Sequence, residues 1–178
     1  TGKGNRFARV KQTTQFIVGA AGEPDKEIIK YMFGLYERLK MHRVYFSAYQ
    51  KGLGDESIDG EQTGEENPAD ILMREHRLYQ VDFLLRQYGF KESDILFEKN
   101  GNLSLTTDPK EAWAQRHPEA FPVHINRASK FALLRVPGLG PVTVKRILEQ
   151  RKSARIRCIE DMGKMGSRLQ KANQYLVY

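Results

Sequence analysis

The sequence predicts a mixed α/β chain that is mostly helical, and two observations predict this class. An amphipathic helical pattern lies between two short runs rich in Val, Ile, Phe and Tyr, and such runs are typical of strands. Further apolar patterns at helical spacing follow, separated by Gly, Pro and Asn, which end helices and begin turns. The 178 residues, 40% of them hydrophobic, suffice for one compact domain or two small ones.

The first elements form a predicted βαβ unit over residues 15–50, after a polar and basic lead-in at residues 1–14. The first strand covers residues 15–21, Pro24 opens a helix with an acidic first turn, and residues 43–49 form the second strand. Because a helix crosses over between them, the two strands should be parallel. Such a unit leaves a strand edge open, which predicts a homodimer through that edge or its coverage by the lead-in.

Residues 51–68 differ in composition from the rest of the chain, with six acidic residues and four glycines. We expect a solvated, mobile loop there, and metal binding by its carboxylates is the alternative. A helical connecting region, residues 69–125, follows. Its first helix covers residues 69–88, and a second helix has Asp108 as its N-cap and ends before Pro118.

The polar run Arg74–Gln80 in the first of these helices contains a histidine, which could take part in acid–base chemistry. Neighbours on a helix diverge by about 100 degrees, so Glu75 and His76 do not form a pair. At a spacing of four residues, Glu75 can meet Tyr79 and His76 can meet Gln80. We therefore interpret the run as a polar face that docks the C-terminal segment against the βαβ unit, with catalysis as the alternative.

The net charge of +7 is unevenly distributed along the chain. Residues 126–178 contain 12 Lys and Arg against 3 Asp and Glu, whereas residues 1–125 contain 17 against 19. Such an excess in one segment is typical of a domain that binds a polyanion, most often nucleic acid. The single cysteine, Cys158, excludes an intrachain disulfide and a three-cysteine iron–sulfur motif, and the sequence shows no zinc ligand set. The lack of a signal peptide or a membrane-spanning stretch predicts a cytoplasmic location.

The most specific motif lies in this basic segment. Pro137 ends a predicted helix, residues 127–135 with Asn126 as its cap, and Pro141 begins another helix. Between them two glycines flank a leucine, so the backbone can turn sharply with its N–H groups pointing outward, which makes an anion site suited to a phosphate. The predicted contacts are Gly138, Leu139, Gly140, Val142, Thr143, Lys145 and Arg146. The alternative is an ordinary two-glycine turn in a helical hairpin.

A second, degraded copy of the motif follows at residues 159–166, with a helix predicted from Leu169 to Leu176. It supplies three more predicted contacts, Lys164, Gly166 and Arg168. Lys164 stands where the first glycine of the motif is expected. We therefore expect the first copy to bind more tightly than the second.

The segment from Ile125 to Ile147 resembles the helix-hairpin-helix family of DNA-binding modules, although Val144 stands where that family has a small residue. The resemblance implies a double module over residues 126–178 that grips both strands of DNA. From about residue 12 to its end, the chain also resembles the C-terminal part of the radical SAM proteins of DNA modification and repair. The motifs that carry this resemblance are Gln15-Phe-Ile-Val-Gly-Ala-Ala-Gly-Glu23, Arg43-Val-Tyr-Phe-Ser-Ala-Tyr49, Met73-Arg-Glu-His-Arg-Leu-Tyr-Gln80, Asp108-Pro-Lys-Glu-Ala-Trp113 and His117-Pro-Glu-Ala-Phe-Pro122.

The radical SAM resemblance implies that residues 15–50 are the last two strands of a partial (β/α) barrel. In that family three cysteines hold a [4Fe–4S] cluster and the barrel binds S-adenosylmethionine, and those cysteines are not in this chain. The carried-over candidate cofactor contacts are Gly19, Ala20, Gly22 and Glu23, with Ser47 and Tyr49 as candidate site-lining groups. The alternative is that the small residues only allow close packing of strand and helix. A uracil-DNA-glycosylase-like protein is the implied partner.

Charge, motif and resemblance together predict sequence-nonspecific binding of duplex or damaged DNA through its phosphates. We expect the chain to be the DNA-binding part of a radical SAM DNA modification or repair protein, and not an enzyme by itself. One alternative is a half-site for S-adenosylmethionine that works with a separate cysteine-bearing chain. The other is a protein-interaction module whose basic segment contacts an acidic partner.

Overall fold

The computed structural model describes residues 11–62, 67–163 and 166–178. Within these ranges the chain is mixed α/β, with seven α-helices and four short strands, which confirms the predicted class. No helix of the described residues is long and apolar enough to cross a membrane. The chain divides into two compact units, the first comprising Thr1–Asp82 with Phe97–Leu103 and the second Phe83–Leu96 with Ser104–Tyr178.

A parallel βαβ arrangement opens the first unit, as the sequence predicts. Strand β1 (Thr13–Val18) pairs in parallel with β2 (Arg43–Ala48), and Phe16 lies opposite Phe46. Helix α1 (Asp25–Leu39) connects the two strands. Alternation in the strands and helical spacing in α1 place their apolar residues in one core. This core includes Val18, Ile28, Ile29, Met32, Val44 and Phe46.

Helix α3 (Pro68–Gln87) lies along the edge of β2, with part of the polar run Arg74–Gln80 against it. The Tyr79 hydroxyl accepts from the Phe46 N–H at 3.0 Å and donates to the Phe46 carbonyl at 2.9 Å. Glu75 Oε2 accepts from the Ala48 N–H at 2.9 Å. Glu75 and Tyr79 thus share one side of α3, but each contacts β2 and the expected bond between them is not formed. These contacts satisfy backbone groups that an open strand edge would expose.

The acidic segment 51–68, predicted as a solvated, mobile loop, contains a short helix, α2 (Asp59–Gln62). The Glu61 carboxylate accepts from the Tyr49 hydroxyl at 2.6 Å and from backbone N–H groups of the same segment. The bond from Tyr49 lowers the pKa of Glu61, and the same bond raises the pKa of Tyr49 to about 12. Residues 63–66 lie outside the described ranges. In the rest of the segment, as in all described residues, no group of three His, Cys, Asp or Glu is placed to hold a metal ion.

The second unit contains four helices, a second strand pair and three short 3-10 turns. Its helices are α4 (Pro109–Arg116), α5 (Lys130–Arg135), α6 (Pro141–Ser153) and α7 (Ser167–Asn173). Its strands β3 (Val123–His124) and β4 (Leu176–Val177) are parallel, and the 3-10 turns cover Glu92–Asp94, Pro118–Ala120 and Ile159–Met162. Its core includes Ile125, Leu133, Leu134, Val136, Leu139, Val144, Ile147, Ile156 and Met162.

Two helices of the second unit begin at residues whose side chains cap them, and the cap of α5 differs from the prediction. Asp108 caps α4 as expected, and its carboxylate accepts from two N–H groups of the first turn. The predicted cap at Asn126 is wrong, because the Asn126 side chain bonds both the N–H and the carbonyl of Ile156. Ser129 caps α5 instead, and its hydroxyl accepts from a first-turn N–H at 3.1 Å.

Candidate nucleic-acid interface

Residues 136–140, which we call the Gly138 turn, join α5 to α6. Gly138 has a φ of +87°, a conformation that L side chains rarely adopt. A Cβ atom at Gly138 would lie 2.1 Å from the carbonyl oxygen of Arg168. Leu139 is 2% exposed, so its side chain belongs to the core and only its backbone can meet a ligand. The first glycine therefore lets the turn contact the backbone of α7.

The beginning of α6 combines exposure with unbonded backbone donors. Gly140 is the N-cap, Pro141 is the first helical residue, and the Val144 N–H donates to the Gly140 carbonyl at 2.9 Å. Among the residues that the structure describes, no acceptor is recorded for the N–H groups of Val142 and Thr143. Val142 is 74% exposed. Since a helix N-terminus carries partial positive charge, this end of α6 is suited to an anion such as a phosphate.

The N-cap of α7 has nearly the same backbone conformation as the N-cap of α6. Its N-cap Gly166 has φ −108° and ψ 170°, and Gly140 has φ −107° and ψ 173°. Gly166 and Arg168 are both exposed. Lys164, the remaining predicted contact of this copy, lies outside the described residues. Helix α7 has only seven residues and ends at Asn173, earlier than predicted, so it aligns fewer peptide dipoles than the thirteen-residue α6.

Two predicted cations near the Gly138 turn remain available to a ligand, and a third has a structural contact. The Lys145 ammonium is 78% exposed and lies 3.9 Å from Glu149, a distance and exposure at which an ion pair contributes little. Arg168 is exposed, and its backbone borders Gly138. Arg146 is also exposed, but its Nη1 donates to the Met162 carbonyl at 3.1 Å. Lys145 and Arg168 are therefore accessible to a ligand, whereas Arg146 is bonded to the 3-10 turn Ile159–Met162.

Tyr88 lies beside the beginning of α6. Its hydroxyl lies 3.6 Å from the position that a Cβ of Gly140 would take. Burial raises the pKa of Tyr88, the charge of Asp108 raises it further, and the positive charge of Arg168 opposes the rise.

Lys110 is a residue of this region that sequence reasoning missed. Its Nζ donates to the Leu139 carbonyl at 2.5 Å and lies 4.8 Å from the centre of the Tyr88 ring. The residue is 7% exposed. Burial lowers the pKa of Lys110 to about 7, and the charge of Asp108 opposes that change. The sequence gives no sign that Lys110 is buried, because a lysine in a first helical turn is ordinarily solvated.

The predicted cofactor residues lie in the first unit, where β1 ends. Gly19 and Gly22 have φ values of +85° and +66°, as a tight turn requires. The Glu23 carboxylate accepts from the Gly19 N–H at 3.3 Å and from the Ala21 N–H at 3.2 Å, so it closes this turn. The Ala20 carbonyl accepts from the Gly60 N–H at 3.0 Å. Most polar groups of the turn are thus bonded within the protein.

A cavity brings two of these predicted residues together at the carboxyl ends of β1 and β2. Gly19 and Tyr49 both line it. Ala20, Gly22 and Glu23 are not among its lining residues, and neither is Ser47, which is half-buried in β2. A role for the six residues in binding S-adenosylmethionine stays a prediction.

Comparison with known proteins gave no match to a family model, to a curated protein or to a solved structure.

Proposed function

We propose that this chain binds DNA through its backbone phosphates, with the beginning of α6 as the principal contact. The observation that carries the proposal is the exposed helix N-terminus with unbonded N–H groups at Val142 and Thr143, next to the exposed cations Lys145 and Arg168. Backbone donors and flexible cations recognise phosphate oxygens and not base edges, so the binding is independent of sequence.

The distribution of charge in the second unit supports the same proposal. The basic excess of residues 126–178 lies mainly at the surface, where it is available to a polyanion. The exposed members of this set are Arg127, Lys130, Lys145, Arg146, Lys152, Arg155, Arg157, Arg168 and Lys171, of which Arg146 is bonded to the Met162 carbonyl and Lys171 pairs with Glu111 at 2.7 Å. Arg135 and Arg151 are less exposed and have structural contacts. Arg135 lies over the rings of Phe90 and Trp113, and Arg151 donates to the carbonyl of Ala128.

The resemblance to radical SAM proteins of DNA modification and repair places this binding in a wider proposal. The chain would hold duplex or damaged DNA for chemistry carried out by a cysteine-bearing part, which would supply the [4Fe–4S] cluster and bind S-adenosylmethionine. A uracil-DNA-glycosylase-like protein is the proposed partner. Within this proposal the described chain contributes DNA binding alone.

The proposal is tested by removing the two ligand-facing cations together. We expect Lys145→Ala with Arg168→Ala to weaken binding to a short fluorescent duplex about tenfold at low salt, as measured by anisotropy. The slope of log K against log salt should become shallower by about 2, because each lost phosphate contact releases about one counterion fewer.

A matched control removes the same two charges from the first unit. Lys26→Ala with Lys30→Ala changes two exposed lysines of α1 and leaves the Gly138 turn intact. We expect this variant to keep the affinity and the salt slope of the unchanged chain. Equal losses in both double variants would mean that net charge, and not the beginning of α6, determines binding, and would overturn the proposal.

A further inference from the structure

A cavity of about 510 Å³ in the first unit has the dimensions of a small-molecule site. It lies at the carboxyl ends of the parallel strands β1 and β2, a position where α/β sheets commonly bind ligands. Its walls are mainly apolar and include Val18, Ala48, Pro68, Ile71 and Leu72. An apolar body of a ligand can therefore be buried there.

Three backbone N–H groups that line this cavity are already bonded within the protein. The Gly19 N–H donates to Glu23, the Tyr49 N–H donates to the Val18 carbonyl at 2.9 Å, and the Gly60 N–H donates to the Ala20 carbonyl at 3.0 Å. The Tyr49 hydroxyl donates to Glu61. A ligand rich in polar groups would find few partners here, and unpaired polar groups are costly to bury.

Arg74 presents one guanidinium nitrogen at the wall of the cavity. Its Nε donates to Asp25 at 2.6 Å and its Nη2 donates to the Glu23 carbonyl at 2.5 Å, which fixes the planar group. Its Nη1 lies 3.6 Å from the position that a Cβ of Gly19 would take, and no hydrogen bond of Nη1 is recorded among the described residues. The Arg74 side chain is 17% exposed.

We propose that this cavity binds a small monoanion with an apolar body and a single carboxylate, which Arg74 Nη1 anchors. A guanidinium N–H donates a strong, charge-assisted bond to a carboxylate. The fully buried Asp25 balances part of the Arg74 charge, so a group with two negative charges, such as a phosphate monoester, fits less well. The proposal is independent of DNA binding by the second unit.

The test compares naphthoate with naphthamide, which has the same body without the charge. Each is titrated into the full, isotope-labelled chain and followed by amide chemical shifts in NMR. We expect naphthoate to shift the amides of Gly19, Tyr49 and Gly60, and to bind at least about tenfold more tightly than naphthamide. Equal binding of the two probes, or naphthoate shifts confined to other residues, would overturn the proposal.

Two variants separate the anchor from the cavity. Arg74→Lys keeps the charge and removes Nη1, so naphthoate should bind about tenfold more weakly while naphthamide is unaffected.

Because Arg74 also pairs with the buried Asp25, Arg74→Lys also removes a structural contact. Ile71→Trp therefore provides a second route, since it fills the cavity without touching that pair. It should abolish binding of naphthoate and leave the unfolding midpoint and the DNA affinity unchanged. The control is Leu39→Trp on the exposed side of α1, which should keep naphthoate binding. Undiminished naphthoate binding in Ile71→Trp would contradict the assignment.

Discussion

Gly138 shows how a residue chosen from a motif can have a different principal role in the structure. The motif assigned it to phosphate binding, whereas the structure places it against the backbone of α7. A Cβ there would meet the Arg168 carbonyl at 2.1 Å, which neither backbone could relieve without moving. Loss of DNA affinity in a Gly138 variant would therefore report a damaged fold as readily as a lost phosphate contact.

We predict that Gly138→Ala lowers the free energy of unfolding by about 3 kcal/mol, from the strained φ and the overpacked contact together. Urea unfolding followed by circular dichroism measures this. Gly140→Ala is the matched control, because Gly140 has an ordinary φ of −107° and a Cβ there would meet Tyr88 at 3.6 Å. The control should lose less than about 1 kcal/mol. Equal losses at the two glycines would contradict the packing role of Gly138.

We expect Lys110 to make the stability of the chain depend on pH. Burial lowers the pKa of Lys110 to about 7 in the folded chain, from 10.5 when solvated. Between these values the unfolded chain binds a proton that the folded chain does not, so stability rises with pH across this window. We predict a rise in the free energy of unfolding of up to about 1.4 kcal/mol per pH unit from this group.

The contribution of Lys110 is isolated by Lys110→Met, which keeps a long side chain and removes the titrating group. Urea unfolding at a series of pH values above neutrality should show a shallower rise than in the unchanged chain. The exposed Lys26→Met should leave the rise as it was. If Lys110→Met preserved the full pH dependence, Lys110 would not be its source.

At the scale of elements, the edge of β2 shows how side chains can replace a missing strand. Tyr79 both accepts from and donates to Phe46, as a neighbouring backbone would. Tyr36 accepts from the Val44 N–H at 2.9 Å further along the same edge. Two tyrosines and Glu75 thus end the sheet at two strands, which accounts for the polar residues on the strand-facing side of α3.

We predict that Tyr79→Phe lowers the free energy of unfolding by about 1–3 kcal/mol, because it leaves the N–H and carbonyl of Phe46 without partners. Amide hydrogen exchange at Phe46 should accelerate by the factor that corresponds to this loss of free energy. Tyr45→Phe removes a hydroxyl from the exposed face of the same strand and serves as control. Unchanged exchange at Phe46 in Tyr79→Phe would show that other groups protect this edge.

Local patterns predicted the type of most elements, and contacts distant in sequence account for the exceptions. The βαβ order, the Asp108 cap and α6 follow from spacing and capping residues, which act within a few positions. Asn126 looked like a cap, but its amide is bonded to Ile156, thirty positions away along the chain. The buried position of Lys110 and the bond between Tyr49 and Glu61 likewise depend on tertiary packing, which no local pattern records.

At the scale of the whole molecule, the separation of charge along the chain is the feature that sequence alone shows most clearly. The basic excess belongs to residues 126–178, and the described structure keeps most of these cations at the surface. Exposed cations contact phosphates, which every duplex carries, so they favour binding to any duplex. They also suit an acidic protein, which is the alternative partner of this segment.

We predict that the chain binds duplexes of unrelated sequence with affinities within about threefold of one another, because phosphate contacts carry no sequence information. Competition experiments with unlabelled duplexes of differing base composition measure this, and all of them should displace the labelled duplex equally. Binding should weaken steeply as salt is raised, since it depends on counterion release. A strong preference for one sequence would require base contacts that the beginning of α6 does not supply. Absence of binding at low salt would favour an acidic protein as the partner of the basic segment.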